Sequence, residues 1–143
     1  MSEHYKKLER MYLAAPVNRL VYEPTIEITE GTAVIGMATV EKFFHAGKAL
    51  HGSVYFKMLD DACFFAVSSL VTDVFVLTTS FTTYFTRPIS SGRLTARGRV
   101  VHQGKSVLLA EAELRDDKNK IAGRGNGAFM KSQTRLGPSI GYV

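Results

Sequence analysis

The chain has 143 residues, 45% of them hydrophobic, with 18 Lys+Arg against 13 Asp+Glu and a formal net charge of +5. That length suits one domain, read as residues 1–143 with a core over about 25–131. The single cysteine, Cys63, excludes an internal disulfide framework and a thiolate metal site.

The charge is unevenly spread. Residues 1–80 carry seven Lys/Arg against nine Asp/Glu, and residues 81–143 carry eleven against four. A basic half suits an anionic partner, or is simply a solvated cationic surface. The N-terminus MSEHYKKLERMYLAAP is too charged for a secretory h-region, and no stretch reaches the roughly 20 apolar residues of a spanning helix. The expectation is a soluble, cytoplasmic protein with no membrane span.

Tyr5, Leu8, Tyr12 and Leu13 recur at roughly helical spacing, which predicts an amphipathic helix over 2–14 that ends before Pro16. Two strands follow, 25–29 and 32–40, meeting at Glu30-Gly31. Residues 41–51 read as a loop. From Gly52 to Leu70 apolar residues fill nearly every face, the mark of a buried helix. Cys63 lies within it and reads as an inert buried thiol. Lys57, Asp60 and Asp61 interrupt it.

The remainder is β-rich. Val74–Tyr84 is dense in β-formers, and Arg93–His102 alternates, with Leu94, Ala96, Gly98 and Val100 on one face. Gln103-Gly104-Lys105 predicts a hairpin turn into Ser106–Arg115, and Asp116–Asn119 a second turn into Lys120–Lys131. The tail from Ser132 reads as irregular. One apolar helix followed by an antiparallel meander of three or four strands predicts an α+β sheet curled around that helix, with a second subunit covering what the sheet leaves bare.

Chemistry concentrates between His45 and Asp60. Gly52 opens a helix, where backbone N–H groups lack partners and the dipole end is positive. Such an N–H can polarise a carbonyl and hold the oxyanion formed on attack. Eight residues later the Asp60 carboxylate enters an apolar helix. Burial of that charge is costly, so it suggests a general base or nucleophile. The plainer alternative is a solvated acid paired with Lys57, which stands three residues before Asp60 and four before Asp61.

HGSVYFKMLDDA, from His51 to Ala62, resembles the HGG-x6-D signature of PaaI-like hotdog-fold acyl-CoA thioesterases, with Ser53 at the second glycine. Leu77–Pro88 and Arg93–Phe129 resemble that family's later strands. The resemblance implies a hotdog fold and hydrolysis of an acyl-CoA. Gly52 would cap the helix and polarise the carbonyl. The spacing within the signature selects Asp60 over Asp61 as the catalytic acid. His45 stands where relatives often carry Asn or Gln, and Thr78 where some carry a serine near the attacking water. The resemblance also implies a homodimer or dimer of dimers, with Gly52 and His45 of one subunit facing Asp60 of the other. His51 joins the substrate-binding set, and the pocket is expected to include Tyr55, Met58 and Phe64.

No cofactor is expected beyond the coenzyme A of the substrate, whose phosphates give Arg87, Lys105 and Arg124 a candidate role. Gly123-Arg124-Gly125-Asn126-Gly127 suggests room for an acyl chain or pantetheine arm, or else a bulge. Two alternatives carry other functions: a hotdog dehydratase or hydratase using His45 or His51 with Asp60, and a non-catalytic acyl-CoA-binding module. Nucleic-acid binding is disfavoured, because the basic residues interleave with apolar strand positions and no reader motif occurs.

Overall fold

The computed structural model describes residues 1–143. Helix α1 (Ser2–Ala14) leads through a short π-helical turn (Asn18–Tyr22) into strands β1 (Thr25–Thr29) and β2 (Thr32–Ala38). Helix α2 (Gly52–Ser68) follows, then β3 (Val74–Phe85), β4 (Arg93–Gln103), β5 (Val107–Arg115) and β6 (Ile121–Arg135). All pairings are antiparallel, in the order β1-β2-β4-β5-β6-β3. No helix is long and apolar enough to cross a membrane.

The boundaries follow the sequence pattern closely, and the α+β expectation holds. The meander needs one correction. β3 does not pair with β4, its successor in sequence; it pairs with β6 at the far edge. The strand after α2 therefore becomes an outer strand, and β4 fills the place beside β2.

Apolar burial explains why α2 sits against the sheet. Val54, Met58, Leu59, Ala62, Cys63, Ala66 and Val67 are all within 1% of complete burial, against Ile35, Leu94, Ala96, Leu108, Leu114 and Phe129 from the strands. The closest approach is at Gly98 of β4, where a β-carbon would overlap the Ala62 carbonyl. Only glycine lets the helix backbone rest on the strand there.

The glycines of β6 serve the same packing. The Tyr55 ring lies over Gly123, and the Phe81 ring over Gly125 and Gly127. Aromatic side chains occupy the space that suggested a passage for substrate. The register is continuous through Gly123–Gly127; Ala122, just before them, is an extra residue of β6 opposite β5, and in β3 Thr78 pairs with Phe129 and Ser80 with Ala128, which leaves Thr79 as the extra residue. The inward face therefore changes from Val76 and Thr78 to Phe81 and Phe85.

The tail is ordered, not irregular. β6 runs to Arg135, and a 3-10 turn at Pro138–Ile140 returns the chain onto α1. Buried His4 lies 2.7 Å from the Tyr142 hydroxyl and donates from Nε2 to the Ser68 carbonyl at 2.9 Å, tying both termini to the end of α2. α1 also covers the β1 edge, where Glu9 Oε2 accepts the Ile28 N–H at 2.8 Å. The other outer strand, β3, has no neighbour beyond it.

Candidate active site

α2 presents one chemical group at its first residue and another two turns further on. At the start, His51 is the N-cap: its Nδ1 accepts the Ser53 N–H at 3.0 Å and lies 2.9 Å from the Ser53 hydroxyl. This corrects the expected capping role of Gly52 and assigns His51 to the helix. Gly52 is instead the first helical residue, and its N–H has no hydrogen-bond partner. The Phe85 ring covers it so closely that a β-carbon would stand 2.9 Å from the ring edge.

Gly52 opens into a cavity of about 330 Å³ shared with His45, Leu50, Tyr55, Phe85 and Arg87. Loop backbone bonds hold His45 there, from its N–H to the Ala49 carbonyl and from the Lys48 N–H to its own carbonyl. Its Nδ1 accepts the Gly47 N–H at 2.9 Å, which leaves Nε2 as the protonated, donating nitrogen of the neutral ring. The Tyr55 hydroxyl donates to the Arg87 carbonyl at 2.6 Å and fixes the β3–β4 connection beside Gly52.

Asp60 lines a separate cavity of about 680 Å³, with Tyr12, Phe64, Phe65, Phe75, Leu77 and Thr78 among its walls. The Thr78 hydroxyl donates to Asp60 Oδ1 at 2.8 Å. Burial raises the Asp60 pKa from 3.8 to about 6; the Thr78 bond opposes this, the neighbouring Asp61 charge adds to it, and Lys57 opposes it weakly. Asp61 is in a different situation. It accepts the Tyr12 hydroxyl at 2.7 Å and the Lys57 ammonium at 2.6 Å. Lys57 thus pairs with Asp61 and leaves Asp60 as the carboxylate without a cation. Burial pushes the Cys63 thiol up, away from thiolate chemistry.

The predicted residues therefore divide. Gly52, His45 and Arg87 come together in one cavity, Asp60 and Thr78 in the other. Arg87 is half-exposed, with Asp116 3.9 Å away. Lys105 and Arg124 line neither cavity. Lys105 is exposed at the β4–β5 turn, and Arg124 lies on the sheet face opposite α2, bonded to Glu113 at 2.8 Å. Met58, expected in the pocket, is fully buried core; Tyr55 belongs to the Gly52 cavity and Phe64 to the Asp60 cavity. Sequence reasoning missed Met11, Tyr12, Val17 and Ile140, which the terminal segments contribute to the Asp60 cavity. The apolar stripe of α1 is the trace in the sequence of Met11 and Tyr12; Val17 and Ile140 leave none.

The profile of the thioesterase superfamily matches residues 47–122, which contain both Gly52 and Asp60. The chain belongs to the thioesterase superfamily. It is similar to a candidate esterase of Saccharolobus solfataricus, 23% identical over 137 residues, which cover 95% of this chain and 98% of that one. Among solved structures, this superfamily member is similar to the PaaI protein of the E. coli phenylacetic acid degradation operon, with TM-score 0.85, 22% identity and coverage of 94% and 96%. It is also similar to a phenylacetic acid degradation-related protein of Ralstonia eutropha JMP134, with TM-score 0.78, 21% identity and coverage of 89% and 98%. The fold is thus the hotdog of PaaI-like proteins, and the superfamily supports thioester hydrolysis as the class of reaction.

Proposed function

We propose that the protein hydrolyses acyl-CoA thioesters to free acid and CoA, at sites shared between two copies of the chain. The observation that carries this reading is the separation of the two chemical groups. Eight residues of helix place Gly52 and Asp60 about 12 Å apart along α2, and they open into different cavities. One thioester carbonyl cannot meet both within one chain. The unpaired β3 edge supports a partner: twelve residues of open strand, with Leu77, Tyr84 and Phe85 exposed on it, suit antiparallel pairing to a second copy.

In this site the thioester carbonyl accepts the Gly52 N–H, with the His45 Nε2–H as a second donor. Asp60 of the other subunit, oriented by Thr78, takes a proton from water as its oxygen adds to the carbonyl carbon. The tetrahedral oxyanion develops where the helix N-terminus stabilises it. Collapse breaks the C–S bond, and the departing thiolate is protonated to CoA. Direct attack by the Asp60 carboxylate, giving a mixed anhydride that water opens, yields the same products. Arg87, beside Gly52, is the basic residue placed to meet CoA phosphates.

A thiol-release assay across short-chain, long-chain and aryl-CoA thioesters tests the reading, with Asp60→Asn as control. The variant keeps the Thr78 contact, so it should fold and assemble like the parent while kcat falls about 10²- to 10⁴-fold. Parental turnover by Asp60→Asn would remove Asp60 from the mechanism. Hydration of a 2-enoyl-CoA without thiol release would replace hydrolysis by hydratase chemistry.

A further inference from the structure

Two adjacent carboxylates on α2 meet one ammonium group, and the structure distributes them unequally. Lys57 is three residues before Asp60 and four before Asp61, so either pairing is within reach on a helix. Lys57 takes Asp61 at 2.6 Å, with the two side chains only 14% and 16% exposed. Three contacts hold that choice in place. The Tyr12 hydroxyl of α1 donates to the same Asp61 oxygen at 2.7 Å. The Lys57 ammonium lies over the Tyr12 ring at 5.5 Å from its centroid and over the Tyr22 ring at 4.8 Å. The Tyr12 ring is itself fixed edge-on against Phe65, at 4.9 Å between centroids.

Groups from several elements face Asp60. α2 supplies Lys57, Asp61 and the neutral Cys63 thiol; α1 supplies Tyr12. β3 supplies the Thr78 hydroxyl, β6 the uncharged Thr134, and the 3-10 turn Ile140. Lys57 is therefore the one cation in this set.

We propose that Asp61, held by Tyr12, is a positioning residue: it keeps the Lys57 ammonium off Asp60, so that Asp60 stays an uncompensated carboxylate able to take a proton from water. A carboxylate paired with an ammonium is a poor base at neutral pH, because the pair stabilises the anion. Asp61 acts twice in the opposite sense, by occupying the cation and by adding a like charge beside Asp60. Without Asp61, the released ammonium has Asp60 as its nearest carboxylate on the helix. The inference rests on Asp60 as the working carboxylate, but it concerns the ionisation of Asp60 and is measurable without turnover.

The test is a carbon-13 NMR titration of the Asp60 side-chain carboxyl in the full chain, assigned with Asp60→Asn, alongside the pH profile of kcat/KM for thiol release. Asp61→Asn should lower the Asp60 titration midpoint by about one unit or more, and the acid limb of the profile should move with it. Adding Lys57→Met to Asp61→Asn should bring the midpoint back up, a rescue that a purely structural role for Asp61 does not predict. Lys57→Met alone should raise the midpoint above the parent's and provides the test if Asp61→Asn fails to fold. An Asp60 midpoint unmoved by these substitutions overturns the inference, even if hydrolysis depends on Asp60. Conversely, the expected shifts in a protein that cleaves no thioester uphold the tuning of Asp60 and reject the hydrolase reading alone.

Discussion

Asp60 answers to two opposing demands. Its burial disfavours the charged form, yet the proposed hydrolysis uses that form. With the carboxyl raised to about 6, kcat/KM should rise about tenfold per pH unit below that value and level off above it. An acid limb near 4 instead would mean that Asp60 is solvated during turnover. The same shift has a consequence for stability. The folded-state pKa lies above the unfolded value, so the folded chain binds the extra proton. The associated stability is fully present below about pH 4 and is lost as pH rises through about 6. Ionised Asp60 therefore weakens the fold at neutral pH. Asp60→Asn should add stability on the order of 2 kcal/mol at pH 7 and raise Tm by several degrees, with the gain vanishing near pH 4. Thermal melts of the two proteins across pH check this.

Helix α2 carries both groups of the proposed site, and Gly98 sets its distance from the sheet. A methyl group there would overlap the Ala62 carbonyl, so Gly98→Ala should cost roughly 1–3 kcal/mol, read as a lowered denaturation midpoint in urea. An unchanged midpoint would contradict this close approach. α2 was legible from the sequence because an apolar run on nearly all faces has few other folded uses, and the strands because their alternation and turns are local signals. Position in the sheet was not legible. β3 reaches β6 through a pairing some 50 residues apart in sequence, which no local pattern encodes. The Thr79 bulge swaps the faces of β3 in a stretch, LTTSFTTYF, whose residues suit either side. Of the candidate site, Asp60, Gly52, His45 and Arg87 were identifiable from the signature and its flanks. The His51 cap was not, since an imidazole is an uncommon N-cap acceptor. Nor were the terminal walls of the Asp60 cavity, which α1 and Ile140 form by docking from opposite ends of the chain. The basic half proved divided as well: Arg99, Arg115 and Arg124 pair with Glu111 and Glu113 on the outer sheet face, a distribution that net charge conceals.

At the scale of the whole molecule, one sheet edge is closed and the other is open. α1 caps β1 through Glu9, whereas β3 presents an unpaired edge with exposed aromatic side chains. The protein should be at least a dimer in solution, which light scattering coupled to size exclusion checks; an active monomer would contradict the shared site. Complementation between two inactive variants tests whether the site is shared. Gly52→Pro removes the free N–H at a helix position that accepts proline, after a residue, His51, already in extended backbone at φ −62° and ψ 144°, and its ring pushes aside the exposed Phe85 ring that overlies Gly52. Asp60→Asn removes the carboxylate. Each variant alone should be nearly inactive. Unfolded and refolded together, they form mixed dimers in which one site has both groups and the other has neither, so about a quarter of parental thiol release should return. A mixture no more active than its parts, in dimers shown to have exchanged subunits, would mean that Gly52 and Asp60 do not meet across an interface.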